Sequence, residues 1–346
     1  MPYNVNTILD TIRANASDDY ISRVPATTQA SIATIGQVLT QESILANEFC
    51  SALVNRIAFT IVTNKVAVNP LAILKKGGVP LGTDIQEIFT NPAKAKTYDL
   101  SSTDLLSVVA PDVKALYYRV NRQDKYPVTI TRELLQKAFT NEATLSSFID
   151  SIISSLYSGD NYDEFILMKN IVTKAFTSGH IATTNIFDEN VTTNTDVDIA
   201  KSLVKAIKTY SKMFTFPSSE YNKYSTVVTA DASKPVITWT PLEDQILILD
   251  ATMSANIDVE VLSYAFNIDK SQIQARTLDI DSFNGEPVLG LLCDKSFFQV
   301  YDNLLEMRMF DNADNLTQKY ILHHWQTYGY SLFANAMIFT YTKKTV

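Results

Sequence analysis

The sequence is poor in the residues most chemistry needs. Two cysteines and three histidines stand among 346 residues. Cys50 and Cys293 lie far apart, each inside an apolar run, so they read as buried free thiols in a reducing cytoplasm and exclude a disulfide scaffold. Neither a His-x-x-x-His nor a Cys-x-x-Cys pair occurs, and a zinc site would need three or four ligands from a very small set. His323 and His324 are adjacent in a predicted strand and so point to opposite faces. The bland reading, one packed beside Trp325 and one near solvent, outweighs a metal site. Glycine is scarce too, at nine residues. There is no Gly-x-Ser-x-Gly elbow, which excludes an esterase of that type. Gly77 to Thr83 has the glycine spacing of a phosphate loop, but it lacks the lysine and holds a proline where backbone donors are needed. Positive charge is short: 29 lysines and arginines face 37 acids, a formal net charge of −8. The only lysine pairs, Lys75-Lys76 and Lys343-Lys344, make no dense patch, which excludes tight binding to nucleic acid. No apolar run approaches the roughly 20 residues that span a bilayer. The start of the chain has neither the basic head nor the apolar core of a signal peptide. A protein made in a cytoplasm, with no membrane partner, is expected.

What is present is apolar and aromatic. Hydrophobic residues make up 46% of the chain and aromatics 10%, enough for a packed core. The length allows two domains, or one with large insertions. Residues 1–25 are polar, and Val5, Ile8, Leu9 and Ile12 look too few to build a core, so an arm is expected that is disordered or held by contact. Ala30 to Val62 reads as one long helix or two, with Leu45, Phe49, Leu53, Ile57 and Ile61 on one stripe. Pro70 enforces a break. Residues 71–131 hold a third of the glycines (Gly77, Gly78, Gly82) and four prolines, with polar sequence between strand-like runs at Leu71–Leu74 and Ala115–Val120. Ile85–Phe89 fits a strand or a short helix. That composition describes an extended hairpin that projects from the body and is stabilised by lying on a neighbour, with the glycines shaping its tip.

Helical periodicity then returns. Thr131 can cap a helix over Arg132–Phe139. Leu145, Phe148, Ile149, Ile152, Ile153 and Leu156 form a stripe that Gly159 is expected to stop. A second helix over Tyr162–Thr177 carries Phe165, Met168, Val172 and Phe176, with Gly179 after it. His180–Thr195 reads as a loop, Asp196–Phe214 as an amphipathic helix, Val236–Trp239 and Gln245–Leu249 as strands, and Asn256–Phe266 as a short helix. Gln274–Ile280 reads as strand. Ile246 to Leu249 is a continuous apolar run, as in a strand buried on both faces.

The last sixty residues carry the strongest pattern. Pro287 to Phe298 gives way to Tyr301-Asp302-Asn303 and a strand to Phe310. An Asn/Asp-rich turn (Asp311 to Asn315), Leu322-His323-His324-Trp325 and Phe333-Ala334-Asn335-Ala336 follow. Short runs of branched and aromatic residues alternate with turn clusters, as in a sheet. In motif order and several identities this block resembles the C-terminal end of the major capsid proteins of small short-tailed phages (podovirus, picovirus-like), which have the Hong Kong 97 fold. Over the remaining chain the resemblance rests on the order of elements.

The resemblance implies an α+β fold with an N-terminal arm (1–29), an extended loop (70–130), a peripheral domain with a long spine helix (30–69, 131–185 and 267–346) and an axial domain (186–266). It implies a structural, non-enzymatic subunit of an icosahedral head in the virion, synthesised in a bacterial host. Its partners would be other copies of itself in hexamers and pentamers, a separate scaffolding protein, a portal, and packaged double-stranded DNA touched weakly and without specificity. An encapsulin-like compartment shell is the alternative on the same fold, and an enzyme with an unrecognised site is the weaker one from another class. No catalytic, cofactor-binding or metal residue is expected. The carboxylates Asp302, Glu306, Asp311 and Asp314 read as a solvated rim or as charges paired across a boundary. The candidates for contact between subunits are Lys75, Lys76, Gly77, Gly78, Gly82, Tyr117, Tyr118 and Arg119. The fold's founding member joins a loop lysine to a neighbour's asparagine; Lys75, Lys76, Lys94 and Lys96 lie in the corresponding loop, where ordinary solvated lysines are the stronger expectation.

Overall fold

The computed structural model describes residues 5–27, 32–42, 44–49, 52, 68–96, 108–131, 142–187, 195–229, 235–257, 276–284, 286–312 and 317–342. The chain divides into two units. The first contains residues 1–69, 122–164 and 302–326, and the second the rest.

In the first unit, α1 (Val5–Ala14) and α2 (Asp18–Arg23) open the chain. Val5, Ile8, Leu9 and Ile12 are few, but their spacing puts all four on one helix face. All four are buried in a core with Tyr20, Leu39, Leu45, Phe49, Ile152, Leu156, Tyr320 and Leu322. The N-terminal segment is therefore folded onto its own chain over the described residues, against the expectation of a coreless arm. Arg13 fastens the two helices by donating to the carbonyls of Ile21 and Val24, each at 2.8 Å. The Ser17 side chain caps α2 at Tyr20 N. Helix α3 (Ile32–Gln41) follows. Leu45 and Phe49 of the predicted stripe are buried, whereas Leu53, Ile57 and Ile61 fall outside the described residues.

Strand β3 (Arg122–Thr131) is an edge of a three-stranded sheet in the order β3-β9-β8. Its edge place accommodates Pro127, which cannot donate to a second neighbour. Strands β8 (Phe298–Asn312) and β9 (Thr317–Tyr330) make the long hairpin expected of the C-terminal block. Helix α4 (Glu142–Thr177) is one helix of 36 residues, about 54 Å long at the usual rise. Gly159 does not stop it. An interior glycine costs only about 1 kcal/mol, which the buried side chains on either side of it outweigh: Ile152 and Leu156 before, Asp160 and Glu164 after. The two predicted helices are thus one. The predicted helix over Arg132–Phe139 lies outside the described residues.

The second unit is built on a five-stranded mixed sheet, order β4-β10-β7-β5-β6, with β4 (Ala182–Asn185), β5 (Gln245–Asp250), β6 (Arg276–Ile280), β7 (Val288–Asp294) and β10 (Ala336–Thr340). Alternation sorts its side chains between two cores. Ile246, Ile248, Leu291, Cys293 and Ile338 join Met168, Ile171 and Val172 of α4. Leu247, Leu249, Leu292, Met337 and Phe339 join Leu203 and Ile207 of α5 (Asp196–Met213) on the other face. The α5 start is a capping box between Thr195 and Asp198. Backbones approach closely at Gly290, where a Cβ would lie 2.8 Å from the Leu249 side chain and 3.2 Å from the Ile248 carbonyl oxygen.

Four further expectations change. Leu71–Leu74 is not a strand: Ala72–Leu74 is a short 3-10 helix whose Leu74, with the adjacent Leu71, is buried in the core. Val236–Trp239 makes only an isolated bridge, Ser218 with Thr238. The expected loop after His180 contains β4, which pairs in parallel with β10. Helix α6 is Ala251–Asn256, upstream of the predicted Asn256–Phe266, most of which lies outside the described residues.

Candidate assembly surface

The second unit also holds a two-stranded ribbon, β1 (Ile85–Thr90) against β2 (Val113–Tyr118), antiparallel, with Ile85 opposite Tyr118 and Thr90 opposite Val113. Period-two alternation gives the ribbon two different faces. Glu87, Phe89, Leu116 and Tyr118 point inward. Phe89 stacks on Phe333 at 5.3 Å between ring centroids. One Glu87 oxygen accepts from Ser331 Oγ at 2.8 Å and Gln299 Nε2 at 3.2 Å, and the other from the Tyr118 hydroxyl at 2.6 Å. Burial, reinforced by the Glu87 carboxylate, holds the Tyr118 phenol well above its ordinary pKa. Its ring lies where a Cβ on Gly329 would collide at 2.7 Å, so glycine is required there. At the far end Asn91 donates to the Pro235 carbonyl at 3.1 Å and accepts from Ile237 N at 3.0 Å.

The outer face is bare. Ile88 is 60% exposed, Tyr117 65% and Val113 50%, and Gln86 spans the ribbon to the Tyr117 hydroxyl at 3.0 Å. Beside the ribbon a cleft of about 190 Å³ is lined by Glu87, Ile88, Phe89, Trp239, Asp294 and Phe333. Its lip residue Trp239 is half exposed.

The contact candidates read from the sequence separate accordingly. Tyr117 lies on the outer face. Tyr118, its neighbour, is locked inside, a parity that adjacency in a strand dictates. Arg119 is exposed and paired with Asp84 at 2.8 Å, a surface bridge worth under about 1 kcal/mol. Lys75, Lys76, Gly77, Gly78 and Gly82 precede the ribbon. The glycines therefore do not shape the hairpin tip: Gly82, at φ +83°, is the third residue of the turn closed by Thr83 N to Pro80 O at 3.4 Å, and Gly77 has φ +109°. Both conformations favour glycine. Crowding by protein lowers the Lys76 ammonium below the usual lysine value, with Glu87 and Asp294 pulling the other way.

In the first unit the long elements meet at a buried polar knot that sequence reasoning missed. Arg122 of β3 donates to Asp124 at 2.7 Å, to Asp160 of α4 at 2.8 Å, to the Tyr126 hydroxyl at 2.6 Å and to the side-chain oxygen of Gln326. The Gln326 amide donates to Glu164 at 2.9 Å and to Asp302 of β8 at 2.6 Å. Asn69 donates to the other Glu164 oxygen at 2.8 Å. His324 sits between Asp160 and Asp302. Its opposite parity to His323 is as expected, but its partners are carboxylates rather than Trp325. Among the described residues one group has metal-ligand geometry, Glu164, Asp302 and His324, with ligand atoms within 4.8 Å of one another. Gln326 already supplies donors to both carboxylates, so the group is satisfied by the chain itself. Of the acids expected at a rim, Asp302 belongs to this knot, Glu306 pairs with Arg308 at 2.7 Å, and Asp311 accepts from Asn47 at 2.8 Å. Asp314 is outside the described residues.

The fold is that of phage capsid subunits. It superposes on a chain from the capsid structure of Staphylococcus phage Andhra with a TM-score of 0.61 at 11% identity, over 81% of this chain and 87% of that one. This is the Hong Kong 97-type, α+β capsid fold. Residues 9–340 match the family model described as Phi29-like phage major capsid protein. The major capsid protein of Bacillus phage B103 is 33% identical over 336 residues, 96% of this chain and 72% of that protein. That of Streptococcus phage Cp-1 is 33% identical over 95% of this chain and 92% of its own length. The chain belongs to the Phi29-like major capsid protein family, and is a structural subunit of a phage head rather than of an encapsulin-like compartment. The family forms the virion capsid. Among the described residues no helix is long and apolar enough to cross a membrane.

Proposed function

We propose that the chain assembles with copies of itself into the hexamers and pentamers of an icosahedral head around double-stranded DNA, and that the outer face of the β1–β2 ribbon is a contact between copies. The observation that carries this is the ribbon's asymmetry. A two-stranded ribbon is marginal by itself. This one is pinned along its inner face and leaves Ile88, Val113 and Tyr117 in water on the other. In this reading residues 70–130 supply the extended loop, and Lys75, Lys76, Gly77, Gly78, Gly82 and Arg119 border the contact. Tyr118 serves by fixing the ribbon's pose. The role is structural and no residue is assigned catalysis. The acidic balance, −8 overall, suits a wall that touches packaged DNA weakly and without specificity. A separate scaffolding protein and a portal complete the set of partners.

Substitution tests this more cleanly than deletion. Removing residues 77–121 would strip Phe89 and Leu116 from the second unit's own core. The double variant Ile88→Glu, Tyr117→Glu alters only exposed positions, where effects on stability stay within about 0.5 kcal/mol. The expected outcome is a subunit with the wild-type circular dichroism spectrum and melting temperature that forms no shells in negative-stain images, under conditions where the wild type does. Shells at wild-type yield would overturn the assignment.

A further inference from the structure

We infer that His324 is a pH-gated clamp: as an imidazolium it ties β9 to α4 through Asp160 and to β8 through Asp302, and loss of its proton as pH rises loosens the first unit. Nδ1 lies 2.7 and 2.8 Å from the two Asp160 oxygens, and Nε2 lies 3.2 Å from Asp302 Oδ1. Carboxylates only accept, and a neutral imidazole has a single N–H. Only the doubly protonated ring donates at both ends. The neutral ring would turn a lone pair toward one carboxylate in a site where His324 is 2% and Asp160 3% exposed.

The surrounding charges set the size of the effect. From β3 come Arg122, which shares Asp160, then Asp124 and the Tyr126 hydroxyl; from α4 come Asp160, Asp163 and Glu164; from β8 comes Asp302. Without the histidine's proton, Arg122 is the one cation paired with Asp160 among the described residues, and it also pairs with Asp124, while Glu164 and Asp302 accept from the neutral Gln326 amide. Burial alone would push the imidazole toward neutrality, and the Arg122 charge adds to that. Hydrogen bonds to Asp160 and Asp302 outweigh both and raise its pKa above the ordinary 6.5. A raised value in the folded state means protonation favours folding. That contribution is whole below the unfolded-state value near 6.5 and disappears as pH rises through the folded value.

The experiment is a series of thermal and urea unfolding curves of the purified subunit from pH 5.5 to 9, on wild type and His324→Gln. Glutamine keeps a donor but never titrates. Between 6.5 and the folded pKa the wild-type unfolding equilibrium constant is expected to rise with pH, by up to about tenfold per pH unit, while the variant is less stable at pH 6 and loses this slope. A variant with the wild-type slope would overturn the clamp. In parallel, the assigned His324 imidazole resonances of the unaltered protein are followed by NMR. The His324 midpoint is expected above the ordinary 6.5. A His324 midpoint at or below 6.5 would overturn the clamp even if the glutamine variant failed to fold.

Discussion

The five-stranded sheet and the β1–β2 ribbon lie in the same unit and are built from the same strand geometry, yet they solve burial in opposite ways. In the sheet, Ile248, Leu291 and Ile338 enter one core and Leu247, Leu292 and Phe339 the other. Strands β5 and β10 show no exposed residue, so both faces are complete within one chain. The ribbon alternates instead, half-buried and exposed in turn along β1. Its inner side chains are bonded to the unit's own core, whereas Ile88, Val113 and Tyr117 on the outer face stay at least half exposed. The sheet carries the fold, and the ribbon carries an unfinished surface.

That contrast can be broken from either side. Phe339→Ala, fully buried in the sheet, should cost about 3 to 5 kcal/mol, measured by urea unfolding; assembly should fail because the fold fails. A loss below about 1 kcal/mol would mean the sheet is not the keystone described. Glu87→Ala removes the acceptor shared by Tyr118, Ser331 and Gln299. It should cost about 2 kcal/mol and, by freeing the ribbon's inner face, slow shell formation more than that loss alone predicts. Equal effects on stability and assembly rate would contradict a pinning role. Variants of the outer face are expected to leave stability unchanged within about 0.5 kcal/mol and to abolish shells.

Much of this was legible in the residues. The continuous apolar run of β5, the amphipathic α5 and the alternating C-terminal block are local patterns, and local patterns determine strands and helices. The ribbon strand at Ile85 was ambiguous, because six residues fit either period. What escaped was settled by tertiary contact. Gly159 looks like a stop until the polar knot around Asp160 and Glu164 is seen to hold the helix together. The N-terminal stripe looks too thin until Tyr20 and Leu39 cover it. In β3 the alternation of Tyr126, Val128 and Ile130 is masked by the polar residues around them. The knot itself joins Arg122 to Asp160, 38 residues away, and to Gln326, 204 away. Its only local traces are Asp160, Asp163 and Glu164 on one helical face and Arg122, Asp124 and Tyr126 on one strand face. The choice between Tyr117 and Tyr118 needed the strand's parity, which the sequence alone leaves open by one residue.

The most direct test is chemical protection at position 88. A cysteine introduced as Ile88→Cys should react rapidly with a maleimide in the free subunit, since the native side chain is 60% exposed, while Cys293, fully buried, stays unreacted. In assembled shells, with labelling read by peptide mass mapping, position 88 should be protected at least tenfold. Equal labelling in subunit and shell would mean that the ribbon's outer face meets no neighbour.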